Sequence, residues 1–281
     1  MSPTKPTDDV VHAPHRPLTD YYPDESARAG FVRGMFDRTA GTYDRIERIL
    51  AFGSGVWYRG QALRRAGLAE GQRIVDVGIG TGLVAREAVK IIGTPGLLVG
   101  VDPSPGMLER ARAALPAEVQ LVEGSAEAIP FPDASFDFLS MGYALRHISD
   151  LAAAFREFHR VLKPGGRLCL LEITKPETAV GRALLKVYMR GIVPTLARLV
   201  GAGGDTVKLW RYYWDTIEAC APRDSTTRAA ISTSGQCRSS PSSRRASRAN
   251  ADSKSSAVRR GRRRRVVRVA FFTGGIGRSR S

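Results

Sequence analysis

"RIVDVGIGTGLVA", residues 73–85, decides the fold. A short run rich in Ile and Val ends in an acid, Asp76, and then meets glycine at alternate positions, Gly78, Gly80 and Gly82. Glycines directly after a strand let the backbone turn tightly into a helix and let it approach a ligand closely. In an open parallel sheet, ligands sit at the carboxyl ends of the strands, where the strand order reverses. The start of the following helix adds N–H groups for an anionic group such as a carboxylate. The stretch therefore reads as strand, ligand loop and helix.

The pattern repeats along the chain. "LLVGVD" (97–102), "VQLVEG" (119–124), "FDFLSMGYAL" (136–145) and "GRLCLLEI" (166–173) read as strands. Helices are expected at about 82–92, 105–114 and 151–162, and "LKPGGRL" (162–168) reads as a reversal between helix and strand. Short apolar strands alternating with helices build a doubly wound, mostly parallel α/β sheet covered on both faces. Residues 29–68 carry apolar residues at three- and four-residue spacing and read as a helical cap, broken near Gly41. Residues 179–200 read as an apolar helical stretch interrupted at Pro194, a packed cap or a lipid-facing lid. Residues 205–220 read as an aromatic-rich helix.

Charge divides the 281 residues unevenly. Of the 43 Lys/Arg and 27 Asp/Glu, sixteen and two lie from Pro222 onward, a net of +14; the remainder carries 27 and 25, a net of +2. The basic character belongs to the tail and implies no nucleic-acid partner for the body. Residues 222–281 are Ser-, Arg- and Ala-rich and lack the composition of a packed core. They read as an out-of-frame translation of a GC-rich gene, with the C-terminal strands of the sheet missing and activity impaired; only "RVVRVAFF" (265–272) has strand character. A genuine basic tail that binds nucleic acid or anionic lipid through "RRGRRRR" (259–265) is the rival reading. Residues 1–28 read as a disordered leader, and His12 and His15 within it as no metal site. The three cysteines share no metal spacing and suit a reducing cytoplasm. No apolar run is long enough to cross a membrane.

The ligand follows from the loop. A dinucleotide loop spaces its glycines G-x-G-x-x-G; here Leu83 occupies the third position. Asp102 ends the second strand, and a carboxylate there accepts from a ribose diol. NAD and S-adenosylmethionine both satisfy that feature, and the G-x-G-x-G spacing after Asp76 favours the second. An NAD-dependent oxidoreductase, or glycines that only make a tight turn, are the alternatives.

"VDVGIGTG", "GVDPSPGMLERAR", "GSAEAIPFPDASFD" and "REFHRVLKPGGRLCLLEITKP" resemble the motifs of class I S-adenosylmethionine-dependent methyltransferases, which have a Rossmann-like fold. "GMFDRTAGTYD" (34–44) and "YALRHISD" (143–150) further resemble the ubiquinone/menaquinone C-methyltransferases. The resemblance spans about residues 31–176. It implies that Gly78, Gly80, Thr81 and Gly82 line the methionine part of the cofactor, with Asp76 before them, and that Asp102 holds the ribose. It sets Ser125 and Ala126 at the adenine end, where the family has Asp-Ala or Asn-Ala, and Gly142 where the quinone branch often has serine. His147 replaces the asparagine of an "LRN" motif. The implied methyltransferase domain is 29–221, and the implied acceptor is a small molecule, a prenylated quinol first, with a phenol, sterol or polyketide as alternatives. Contact with a membrane surface and a cytoplasmic location complete the expectation.

Methyl transfer needs an oriented acceptor more than a strong catalyst, because the donor is already activated. A base or water relay beside a ring hydroxyl would raise the nucleophilicity of the ring carbon. His147 fits that role by its ordinary pKa, or else faces solvent. Arg146 holds a substrate oxygen or makes a surface ion pair. Tyr43, with Asp44, closes over the substrate or packs in the core.

Overall fold

The computed structural model describes residues 13–50, 54–173, 176, 178–199, 203–220, 237–239 and 267–273. Its centre is a sheet in the order β3-β2-β1-β4-β5-β7-β6, with every neighbouring pair parallel. The strands are β1 (Ile74–Val77), β2 (Leu98–Asp102), β3 (Gln120–Glu123), β4 (Phe136–Gly142), β5 (Leu162–Glu172), β6 (Cys237–Ser239) and β7 (Val267–Thr273). The order reverses between β1 and β4, which opens a crevice at their carboxyl ends.

Alternate strand residues feed two cores. Val75, Val77, Leu139 and Leu168 pack beneath α5 (Leu151–Val161), while Ile74, Leu98, Phe138 and Cys169 meet α2 (Ser54–Ala66), α3 (Leu83–Ile92) and α4 (Pro105–Ala114). Asp150 caps α5 by accepting from the N–H groups of Ala152 and Ala153, and Ser104 caps α4 by accepting from Met107 N–H.

A third, aromatic cluster joins α1 (Glu25–Leu50) to α8 (Gly204–Ala219). Between them run α6 (Ala179–Val187), a π-helical segment Tyr188–Ile192 and α7 (Val193–Leu199). The π turn lies just before Pro194, whose missing N–H and ring crowd the preceding turn.

Four expectations change. The helix α1 is unbroken at Gly41, since one glycine weakens a helix interior by only about 1 kcal/mol and does not end it. Residues 13–28 are no disordered leader: His15, Tyr22 and Arg28 are buried, and α1 begins at Glu25. The Pro-Gly-Gly reversal lies inside β5, where Gly165 adopts φ 83° and the pairing with β4 shifts register. The C-terminal strands are not missing: β7 pairs with β5 from Arg167↔Arg268 to Glu172↔Thr273, and β6 extends the edge. The β-branched and aromatic run Val267–Thr273 has the propensity for it. His12, residues 1–12 and the "RRGRRRR" run lie outside the described residues.

Candidate functional site

The crevice holds a cavity of about 390 Å³. Its floor is the glycine loop. Gly78, Gly80 and Gly82 have φ of 68°, 56° and 85°, a region costly to other residues. The N–H groups of Gly78 and Ile79 donate to Val101 O at 2.8 and 3.1 Å, tying the loop to β2. A Cβ on Gly80 would meet nothing within 4 Å, so the open side of the loop faces empty space.

Asp102 is fixed by main chain. Gly80 N–H donates to its Oδ2 at 2.8 Å and Ser104 N–H to its Oδ1 at 2.9 Å. Burial pushes its carboxyl up to about 6, against the pull of those two donors. Asp76 lies beneath the loop, outside the cavity wall. Ser140 Oγ donates to its Oδ1 at 2.6 Å, its buried Oδ2 has no partner, and burial raises it to about 7. Gly142 belongs to the wall, and a Cβ there would lie 2.6 Å from Val84 Cγ2. The serine common in the quinone branch has no room at this position unless Val84 shifts.

Two acids of α1 clamp the cap onto this floor. Thr81 Oγ1 and Arg86 Nη2 both donate to Asp44, the second at 2.8 Å. Gly106 N–H and Ser104 Oγ donate to Asp37 Oδ1, the first at 3.0 Å. Ser125 and Ala126 also line the cavity, and Glu127 beside them accepts from Ser149 N–H at 2.9 Å.

The opposite wall is aromatic: Phe36 and Tyr43 from α1, His147 from the turn Leu145–His147, and Tyr213 from α8. The Tyr43 and Tyr213 hydroxyls are 2.9 Å apart. The His147 ring stands edge-on to Phe36 and Tyr213, at centroid distances of 5.4 Å, and stacks on Tyr212 at 5.6 Å. Burial, with the charges of Arg146, His15 and Arg28, holds His147 well below its ordinary pKa. It is neither solvent-facing nor poised as a base near neutrality. Arg146 lies behind the wall. Its Nη1 donates to Glu172 Oε2 at 2.6 Å, and its guanidinium lies 4.6 Å over the Tyr213 ring. Glu172 Oε1 also accepts from Leu145 N–H at 2.9 Å, so one buried carboxylate pins the turn that presents His147.

The structure thus brings Gly78, Gly80, Thr81, Asp102, Ser125, Ala126, Gly142, Tyr43 and His147 to one cavity, and leaves Asp76, Gly82 and Arg146 behind its wall. Sequence reading missed Asp37, Glu172 and Tyr213. The first two lie inside quoted motifs; Tyr213 is one aromatic among several in α8. Tyr143, which follows Gly142 and lines the cavity, takes φ 62°, strain of about 1–3 kcal/mol of the kind that collects at functional sites.

The sequence model of the ubiE/COQ5 methyltransferase family matches residues 24–238. Demethylmenaquinone methyltransferase of Chlorobaculum tepidum is 40% identical over 170 residues, covering 59% of this chain and 69% of that protein. The ubiquinone/menaquinone biosynthesis C-methyltransferase UbiE of Pseudoalteromonas translucida is 31% identical over 189 residues, 66% of this chain and 75% of that protein. Demethylmenaquinone methyltransferase of Staphylococcus saprophyticus is 32% identical over 184 residues, 65% and 79% of the two chains.

Proposed function

The chain belongs to the ubiE/COQ5 methyltransferase family, and from that premise we propose that it moves a methyl group from S-adenosylmethionine to a ring carbon of a prenylated quinol precursor. The observation that carries the reading is Asp102, held at the end of β2 by Gly80 and Ser104 with its carboxylate beside the cavity. Each of its oxygens accepts one main-chain bond and keeps a lone pair for a ribose hydroxyl. The missing side chain of Gly80 leaves the loop open where a methionine portion would lie. Ser125 and Ala126 meet the adenine. These residues fit the cofactor, which supplies an activated sulfonium methyl.

The rest is positioning. The aromatic wall of Phe36, His147, Tyr43 and Tyr213 takes the flat acceptor ring against the loop. Of the paired hydroxyls of Tyr43 and Tyr213, one donates to the other, and the one that accepts donates its own hydrogen to a ring oxygen once that oxygen's proton has left to solvent. Donors to a phenolate favour its charged form, which enriches the ring carbon. The bound sulfonium would supply its methyl to that carbon and leave as the thioether, and the carbon's own proton would pass to solvent. Arg146 acts through Glu172 and Tyr213, as a positioning residue rather than a ligand. Among the described residues no helix is long and apolar enough to cross a membrane; a cytoplasmic location is part of the same proposal.

The test is incubation of the purified chain with S-adenosylmethionine and chemically reduced demethylmenaquinol, read by mass spectrometry. One added methyl on the ring is expected, and none with the oxidised quinone. Transfer to a phenol, sterol or polyketide but to no quinol would overturn the acceptor assignment.

A further inference from the structure

The apolar stripe of α6 points away from the protein. Val180, Leu184 and Val187 fall within about 60° of one another around a helix of 3.6 residues per turn. They are 70%, 66% and 62% exposed, and Ile192 of the π turn is 47% exposed. A surface helix ordinarily turns such a stripe inward, yet no residue of α6 is buried. The segment is held by its continuation instead: Met189 and Val193 are buried in the aromatic cluster with Trp210 and Tyr213 of α8. An exposed apolar face rimmed by polar groups marks a surface that meets a partner or lipid.

Charge selects the partner. From Ala179 to Leu199 the chain carries Arg182, Lys186, Arg190 and Arg198 and no acid. Lys186 lies 4.0 Å from Glu218 and Arg190 3.4 Å from Asp215, both on α8, and about half of each basic side chain stays exposed. A two-fold contact between copies would set this basic rim against itself. Residues 222–281 of the same chain, with sixteen Lys/Arg and two Asp/Glu, match it no better. We infer that α6 and the π turn dock on an anionic phospholipid surface. The Val180–Leu184–Val187 stripe enters the headgroup–acyl boundary, and the basic rim lies among the phosphates. The surface stands without the methyl-transfer reading but bears on it, because α8, which anchors this segment, carries Tyr213 of the cavity wall.

The experiment is flotation of the full chain with vesicles of phosphatidylglycerol and phosphatidylcholine, and with phosphatidylcholine alone. The chain should float with the first and not the second. The triple variant V180S/L184S/V187S should lower the bound fraction at least roughly tenfold, with Tm unchanged because these side chains are exposed. A tail with sixteen Lys/Arg and two Asp/Glu would draw anionic vesicles by charge alone, so a local readout is needed: Leu184→Trp should gain blue-shifted emission on vesicle addition. Flotation of the triple variant like the parent, absence of the shift, or equal flotation with neutral vesicles would overturn the proposal. So would a dimer that the triple variant dissociates while vesicle binding is unchanged.

Discussion

The two walls of the cavity are built differently. The wall proposed for the cofactor is main chain: left-handed glycines, N–H groups of Gly80 and Ser104, and one carboxylate that they hold. Its parts lie within residues 76–142. The wall proposed for the acceptor is side chain: Phe36, Tyr43, His147 and Tyr213 come from three distant segments and meet edge to face. A wall of main chain tolerates little change in its loop, and α1 braces it from outside through Asp44 on Thr81 and Asp37 on Ser104. A wall of interlocked rings depends on buried partners such as the Arg146–Glu172 pair. The cofactor side should therefore be fixed chemically and the acceptor side adjustable, and the two should fail independently.

The largest break expected is on the acceptor side. Glu172→Ala strands the buried Arg146 guanidinium and the Leu145 N–H, which should cost about 3–5 kcal/mol of unfolding free energy, read by denaturant titration. S-Adenosylhomocysteine affinity should change less than about threefold while the protein is folded, because the Leu145 and Arg146 contacts of Glu172 lie behind the aromatic wall. Loss of that affinity in the folded variant would join the two walls into one.

Acid should act on the other side. The Asp102 carboxyl is raised to about 6, and only its ionised form accepts from two ribose hydroxyls. S-Adenosylhomocysteine affinity should hold above pH 6 and fall by about tenfold per unit below it, about 1.4 kcal/mol, in calorimetry from pH 7.5 to 5. A flat profile would separate Asp102 from the ligand. The smallest effect belongs to the tyrosine pair. Tyr43→Phe removes one hydroxyl of the 2.9 Å contact and should slow acceptor turnover by about 1 kcal/mol, roughly fivefold, with cofactor affinity unchanged. An equal loss in cofactor affinity would blur the boundary that the comparison draws.

The same division decides what could be read in the sequence. The β1–loop–α3 unit and Asp102 are legible because their geometry is local and their residue types are forced by backbone conformation. Tyr213 is not, since nothing in an aromatic-rich helix says which ring turns inward until α1 lies across it. His147 is legible as a position but not as an environment: its lowered pKa arises from burial and from Arg146, His15 and Arg28, two of which come from a segment that reads as a leader. Arg146 reads as a ligand because the partner that turns it away, Glu172, is contributed by the next strand, β5. The strand Val267–Thr273 is legible as strand character but not as part of the sheet, because its pairing with β5 joins residues about a hundred positions apart.

The most direct measurement is calorimetric titration of S-adenosylhomocysteine into the full chain and into Asp102→Ala. Saturable one-site binding by the parent, weakened by about 3 kcal/mol or roughly a hundredfold in the variant, is the predicted result. Equal affinity of the two proteins, or no binding by the folded parent, would contradict the assignment of the glycine loop and Asp102 as the cofactor wall.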